Sequence, residues 1–222
     1  MAYAGAYLSR ALAAPTDKDF QLADRCAAYA KETSDRCLIF PDIDKNTAEI
    51  VVISDASHAA PRDDYRSQSG FLILLADQYH CALMSWKSSV QKRRVTSSMA
   101  AECYAAKAAW QQGVHLQRLI NGMCPDEKPF GIRCAVDNDD LYKIVKLRKR
   151  TIPKDRSLTI CVHMLRELVD EDNLKLTFVE GKVNPADALT KPLSDASPLI
   201  ELMRGNASNM GAEVEPIGKK RT

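Results

Sequence analysis

The sequence predicts an α/β fold of the mixed α+β kind, in which helices flank a five-stranded mixed sheet. Three apolar runs come first, at 48–57, 70–76 and 81–87, and the gaps between them suit hairpin connections. Two more strand patterns, at 131–138 and 174–181, alternate with helical patterns. The resulting order, β-β-β-α-β-α-α-β-α, is typical of a mixed sheet covered by helices.

The composition indicates a globular protein. With 222 residues, 45% of them hydrophobic, the chain can form one medium domain with a sizeable core, alone or with an appendage. There is no apolar run of about 18 residues and no signal-peptide pattern, so we expect no membrane partner and an intracellular location. The seven cysteines include no C-x-x-C pair, which argues against a disulfide framework and a zinc site.

The first 47 residues indicate a helical segment followed by a linker. Thr16 is placed to cap a helix whose apolar positions run from Phe20 to Tyr29 at helical spacing. A short strand is predicted at 37–40, "CLIF". The Pro- and Asp-rich stretch at 41–47 is typical of a linker, so we place a domain boundary near its end.

Helices dominate the remainder of the chain. Three are predicted, at about 98–121, 139–149 and 158–169. The first of them ends where Gly122 and Pro125 follow. Asn184 and Pro185 are placed to cap and open a further short helix. Residues 194–222 are weakly patterned, which predicts a flexible tail.

Four acids stand at the ends of these predicted elements: Asp55, Glu102, Asp137 and Asp187. Asp55 and Asp137 end strands, whereas Glu102 and Asp187 fall in the first turns of helices. Acids at such positions can face a shared crevice. Clustered carboxylates repel one another unless cations compensate, and Mg²⁺ prefers oxygen ligands. Two such ions about 4 Å apart can support phosphodiester hydrolysis.

Each acid also has an ordinary explanation. Acids near helix N-termini favour the helix dipole, which would account for Glu102 and Asp187. Asp55 and Asp137 are both compatible with ordinary turns. The separations of 47, 35 and 50 residues between the four acids are not a fingerprint. Spacing alone therefore leaves open whether these acids hold a metal.

Basic residues are concentrated in two stretches. "QKRRV" at 91–95 holds three of them, and 143–156 holds seven Lys and Arg against one Asp. Such local patches can bind phosphate backbones, although a solvated helix face has the same composition.

Motifs around the four acids resemble the ribonuclease H region of copia-type LTR retrotransposon Pol polyproteins, preceded by the end of the reverse transcriptase. "SDAS" and "RSQSG" resemble the family's "SDAD" and "RSTSG", and "SWKSSVQKRRVTSSMAAECYA" resembles "SWSSKKQ…SSTEAEY". "VDNDDLY" corresponds to "CDNQSAI", and "AYAGAYLSRALAAPT" resembles "YAVGYLSR…PT". The most specific match is "ADALTKPL" at 186–193 with "ADILTKPL". The likeness covers about residues 2–193.

The resemblance implies a ribonuclease H-like domain at 48–193, after a remnant of the reverse transcriptase or connection segment at 1–47. The metal-binding and catalytic acids it implies are Asp55, Glu102, Asp137 and Asp187. They would hold two Mg²⁺ ions, with Mn²⁺ as an alternative, and Asp55 would bridge both. The implied activity is two-metal-ion hydrolysis of the RNA strand of RNA–DNA hybrids during reverse transcription.

The resemblance also implies partners and contacts. The partners are the RNA–DNA hybrid and the reverse transcriptase portion of the same polyprotein, in a cytoplasmic particle or the nucleus. Expected nucleic-acid contacts are Lys92, Arg93, Arg94, Lys146, Arg148, Lys149 and Arg150. Because the chain begins inside the polymerase-like segment, we expect it to be a piece of a longer polyprotein.

The chain departs from the family pattern in places, and the departures leave alternatives open. "DRSLTI" at 155–160 replaces "TKHIDI", which removes a His and an acid. One alternative is a catalytically degenerate or domesticated ribonuclease H-like module that only binds nucleic acid. Others are a different nuclease on this fold and a structural domain that supports a polymerase.

Overall fold

A computed structural model describes residues 1–58, 65–125, 128–149, 151–171, 173–192 and 195–207. Within these ranges the strands are β1 (Glu49–Ser57), β2 (Gln68–Ala76), β3 (Cys81–Val90), β4 (Gly131–Val136) and β5 (Lys175–Phe178). The helices are α1 (Ala2–Ser9), α2 (Asp17–Glu32), α3 (Ser98–Met123), α4 (Asp139–Val145), α5 (Arg156–Asp170) and α6 (Ser197–Met203). Two 3₁₀ helices cover Gly181–Val183 and Pro185–Leu189. Among these residues, no helix has the length and apolar character needed to cross a bilayer.

The five strands form one mixed sheet in the order β3-β2-β1-β4-β5. β2 is antiparallel to both β1 and β3, as the hairpin-length gaps predicted. β4 runs parallel to β1 and to β5; the chain reaches β4 through α3 and passes from β4 to β5 through α4 and α5. The predicted fold class, a five-stranded mixed sheet flanked by helices, is confirmed.

The central strand β1 is buried on both faces of the sheet. Ile50 and Val52 of β1 pack in one core with residues of α3, α4 and α5. Val51 and Ile53, which point the other way, pack with the 3₁₀ helix Pro185–Leu189 and with α6. A strand covered on both sides has no solvent-facing positions, which explains why β1 is a continuous apolar run instead of an alternating one.

Helix α3 lies close against the centre of the sheet. Its N-cap Ser97 accepts a hydrogen bond from the backbone N–H of Ala100 at 3.2 Å. Small residues form the surface that meets the strands, and a Cβ built on Gly113 would lie 2.7 Å from Val52 Cγ2. This close approach holds the middle of α3 against the middle of β1.

Three local predictions were wrong. Residues 37–40, which the structure describes, form no strand; Ile39 N–H donates only one backbone bond, to Met203 O at 2.9 Å. The helix expected to reach residue 149 ends at Val145, and Arg148 beyond it adopts a left-handed backbone with φ of 56°. No element was predicted after residue 193, yet α6 forms there and buries Leu202. The division near residue 47 stays a prediction.

Candidate metal centre

Two of the four acids meet because their strands are parallel. β1 and β4 pair Ile53 with Ala135, and the next-but-one residue of each chain segment is an acid: Asp55 within β1, and Asp137 directly after β4. Residues two apart point to the same face of a strand, so the two carboxylates project from the same sheet edge toward the same side. Asp55 is 1% exposed, which makes it an almost fully buried acid.

The third acid, Asp187, is brought to this edge by the 3₁₀ helix Pro185–Leu189. Asn184 caps that helix as predicted, because its side-chain oxygen accepts from Ala186 N–H at 3.0 Å. The Asn184 Nδ2 also donates to the carbonyl oxygen of Ser54 at 3.2 Å, which ties the helix to β1. One carboxylate oxygen from each of Asp55, Asp137 and Asp187 lies within 4.8 Å of the others.

Close packing against β2 holds the same 3₁₀ helix in place. Gly70 pairs with Asp55 across the β1–β2 ladder, and a Cβ built on it would lie 2.6 Å from Leu189 Cβ and 2.8 Å from Thr190 Cγ2. The Ser88 hydroxyl donates to Leu189 O at 2.6 Å. The glycine of "RSQSG" therefore makes room for the segment that carries Asp187.

Glu102 reaches the site from α3, one turn later than predicted. It is the fifth residue of the helix, and the first turn contains no acid. Since the dipole effect fades within the first turn, it does not account for this residue. Glu102 is 5% exposed, and its Oε1 accepts from Ala56 N–H at 3.1 Å. Its Oε2 has no hydrogen-bond partner among the described residues and lies outside the 4.8 Å group.

The electrostatics of the site favour an added cation. Burial, together with the charge of Asp137, raises the pKa of Asp55 to about 7. Burial and the charges of Asp137 and Asp55 raise the pKa of Glu102 to about 10. Burial also raises the pKa of Asp137. Several buried carboxylates that resist ionisation, one of them with an unpaired oxygen, fit a hard divalent cation bound by oxygen ligands.

Two further residues of the site were not identified from the sequence. The Thr190 hydroxyl donates a hydrogen bond to Asp55 Oδ2. The Lys191 ammonium lies 2.7 Å from Asp187 Oδ1 and 3.9 Å from Asp55 Oδ1. Both stand inside the "ADALTKPL" motif, three and four residues after Asp187, and this spacing was the available signal.

The first basic stretch is exposed beside the start of α3. Lys92, Arg93 and Arg94 lie in the connection between β3 and α3, and all three are exposed. The Arg93 Nη1 donates to the Ser157 hydroxyl at 3.1 Å, at the beginning of α5. This stretch therefore borders the helix that carries Glu102.

The second basic stretch lies at the other end of α5. Arg148 donates from Nη2 to both carboxylate oxygens of Asp170, at 2.5 and 2.7 Å. Ser157 and Asp170 are 13 residues apart on one helix, which separates the two stretches by about 20 Å. Lys149 is exposed and Lys146 is partly buried. Arg150 lies outside the described residues.

The fold and this site together define a ribonuclease H-like domain with a candidate divalent-metal centre. No protein-family model matches the chain. It is 28% identical over 193 residues to a retrovirus-related Pol polyprotein from transposon TNT 1-94 of Nicotiana tabacum, covering 86% of this chain and 14% of that protein. It is 28% identical over 199 residues to the corresponding polyprotein from transposon RE1 of Arabidopsis thaliana, covering 87% and 13%.

A third relative comes from yeast. The transposon Ty1-JR2 Gag-Pol polyprotein of Saccharomyces cerevisiae is 30% identical over 149 residues, covering 67% of this chain and 8% of that protein. The chain spans 14% or less of the length of these three relatives. Its homologues are thus Pol polyproteins of copia-type retrotransposons, as the sequence motifs predicted.

Two solved structures superpose on part of the chain. RNase H1 from Halobacterium salinarum superposes with a TM-score of 0.47 at 18% identity, covering 64% of this chain and 94% of that one. A foamy viral protease-reverse transcriptase in complex with an RNA/DNA hybrid gives a TM-score of 0.44 at 12% identity, covering 68% and 21%.

Proposed function

We propose that this chain is a metal-dependent ribonuclease that hydrolyses the RNA strand of RNA–DNA hybrids during retrotransposon reverse transcription. The observation that carries the proposal is the convergence of Asp55, Asp137 and Asp187 within 4.8 Å, beside the buried Glu102. These acids come from four separate elements, so their meeting is a property of the whole fold. Four neighbouring carboxylates repel one another and so destabilise the metal-free protein. A bound cation would offset this repulsion, which gives the arrangement a functional reason.

We expect the four carboxylates to hold two Mg²⁺ ions, with Mn²⁺ as an alternative. Asp55 would contribute to both ions, Glu102 and Asp137 to the one on the leaving-group side, and Asp187 to the other. When bound, the ions lower the pKa of a water that attacks the phosphodiester and stabilise the leaving oxygen. The protein fixes the carboxylates: the Thr190 hydroxyl orients Asp55, and Ala56 N–H orients Glu102.

The substrate class is supported by the homologues and by the basic residues. The relatives are transposon polyproteins, and we expect the reverse transcriptase portion of such a polyprotein to be a partner of this domain inside the cell. Lys92, Arg93 and Arg94 stand next to the helix that carries Glu102, where they are available for phosphate contacts. Contacts to 2′-hydroxyl groups across the minor groove would distinguish the RNA strand.

A second candidate is a nucleic-acid-binding module without turnover. The "DRSLTI" segment favours it, because Ser157 and Thr159 stand where the family motif has its His and its acid. The Thr159 hydroxyl donates to Pro153 O at 2.6 Å, so it is used within the protein. This candidate predicts hybrid binding without cleavage.

The test is cleavage of a labelled RNA–DNA hybrid, with double-stranded RNA and double-stranded DNA as controls. We expect the wild-type protein to cut the RNA strand of the hybrid in Mg²⁺ and to be inactive in EDTA. Asp55→Asn and Asp137→Asn should each reduce activity by at least a factor of about 100, on the order of removing one catalytic group. Equal inertness of wild-type and variant proteins, with hybrid binding retained, would establish the second candidate instead.

A further inference from the structure

The acid cluster contains a basic side chain that the two-metal scheme does not use. Lys191 places its ammonium 2.7 Å from Asp187 Oδ1 and 3.9 Å from Asp55 Oδ1. One ammonium therefore lies beside two of the acids of the candidate metal centre, one from β1 and one from the 3₁₀ helix Pro185–Leu189.

The ammonium stands among the oxygens that are expected to hold a divalent ion. Its contacts with Asp187 Oδ1 and Asp55 Oδ1 supply part of the charge compensation that a divalent ion would supply. A monovalent and a divalent cation this close to the same oxygens repel each other.

The Lys191 side chain has room to move away from the acids. Lys191 is 43% exposed, whereas Asp55 is 2% exposed in its side chain. A flexible four-carbon stem can carry the ammonium into solvent without moving the backbone. The preceding residue stays anchored, because Thr190 is 1% exposed and donates to Asp55.

We propose that Lys191 is a positioning residue that occupies the metal site of the metal-free protein and is displaced when a divalent ion binds. The inference rests on the proposed function, since it takes a divalent ion as the ligand of these acids. It goes beyond that function because it assigns an internal competitor to the site. Lys191 would stabilise the metal-free acids and, by the same contact, weaken their affinity for the ion.

The test measures Mn²⁺ binding by isothermal titration calorimetry, and urea unfolding in EDTA, without using activity. Lys191→Met removes the charge and keeps most of the stem, and Lys191→Gln is a second variant. Lys143→Met is the matched control, because Lys143 makes an ion pair with Asp139 at the same four-residue spacing. Circular dichroism verifies that each variant is folded.

We expect both Lys191 variants to bind Mn²⁺ more tightly than wild type, by about tenfold for removal of one repelling charge near 4 Å. Their metal-free forms should unfold at lower urea, whereas Lys143→Met should bind Mn²⁺ as wild type does. Unchanged or weaker Mn²⁺ binding, or unchanged metal-free stability, would overturn the role of Lys191. If neither wild type nor the variants bind Mn²⁺, the metal centre itself fails and this inference fails with it.

Discussion

The hydroxyl of Thr190 donates a hydrogen bond to the carboxylate of Asp55, which lies 135 residues earlier in the chain. This bond joins the "ADALTKPL" segment to β1, so residues from the last motif and from the first motif lie side by side in the candidate site. The same segment supplies Asp187 and Lys191. The candidate site is therefore complete only when the C-terminal segment packs on the sheet.

Replacing Thr190 by Val should raise the pKa of Asp55 further, because the hydroxyl favours the ionised carboxylate. The folded protein should also become less stable, by about 1–3 kcal/mol, since a hydrogen bond to a charged group is removed. Titration of the aspartate carboxyl carbons by NMR in EDTA measures the pKa. Thr190→Ser, which keeps the hydroxyl, is the control, and a Val variant with an unshifted Asp55 would contradict the assigned contact.

Gly70→Ala should destabilise the protein and reduce hybrid cleavage together. The added Cβ would lie 2.6 Å from Leu189 Cβ, so the segment that carries Asp187 must shift. Overpacking of this kind costs about 1–3 kcal/mol, measurable by urea unfolding. Gly122→Ala is the matched control, because nothing lies within 4 Å of its added Cβ. Equal stability of the two variants would show that the close packing is not needed.

The metal-free protein should become less stable as pH rises. Burial and neighbouring charges raise the pKa of Asp55 from 3.8 to about 7 and that of Glu102 from 4.5 to about 10. The folded state therefore holds protons that the unfolded chain has released. For each such group, the free energy of unfolding falls by up to about 1.4 kcal/mol for every unit by which pH rises between the pKa of the unfolded chain and that of the folded protein.

Urea unfolding in EDTA from about pH 5 to about pH 8 covers much of this window. Glu102→Gln should reduce the slope and raise stability at the upper end, while it lowers hybrid cleavage. Such opposite effects on stability and activity are typical of a catalytic acid whose ionised form is destabilised by burial and by neighbouring charges. A wild-type protein whose stability rises with pH in EDTA would contradict these pKa shifts.

The sequence predicted the sheet well and the site in part, for physical reasons. β1 and α3 carry long uninterrupted patterns, so their existence follows from local periodicity. The strand at 37–40 was wrong because a strand requires a neighbour to pair with, which no local pattern reveals. The meeting of Asp55 with Thr190 and Lys191 depends on packing against Gly70, and this long-range packing is not encoded by spacing alone.

The two basic stretches should contribute differently to hybrid binding. Arg148 makes an ion pair with Asp170 at the far end of α5, whereas Lys92, Arg93 and Arg94 lie beside the helix that carries Glu102. Replacing Lys92, Arg93 and Arg94 by Gln should weaken hybrid binding and make the slope of log K against log salt shallower, by about 0.7–0.9 for each phosphate no longer neutralised. Arg148→Gln should have a smaller effect. Fluorescence anisotropy across a salt series measures the affinity for the hybrid and its salt dependence. A larger effect at Arg148 would place the interface at the second basic stretch instead of the first.

The most direct test of the metal centre is anomalous diffraction from crystals of the protein soaked in Mn²⁺. A cation held by the acid cluster predicts an anomalous peak bounded by the carboxylates of Asp55, Asp137 and Asp187, and absence of that peak in Asp55→Asn. Wild-type crystals that show ordered carboxylates and no peak between them at saturating Mn²⁺ would contradict the account.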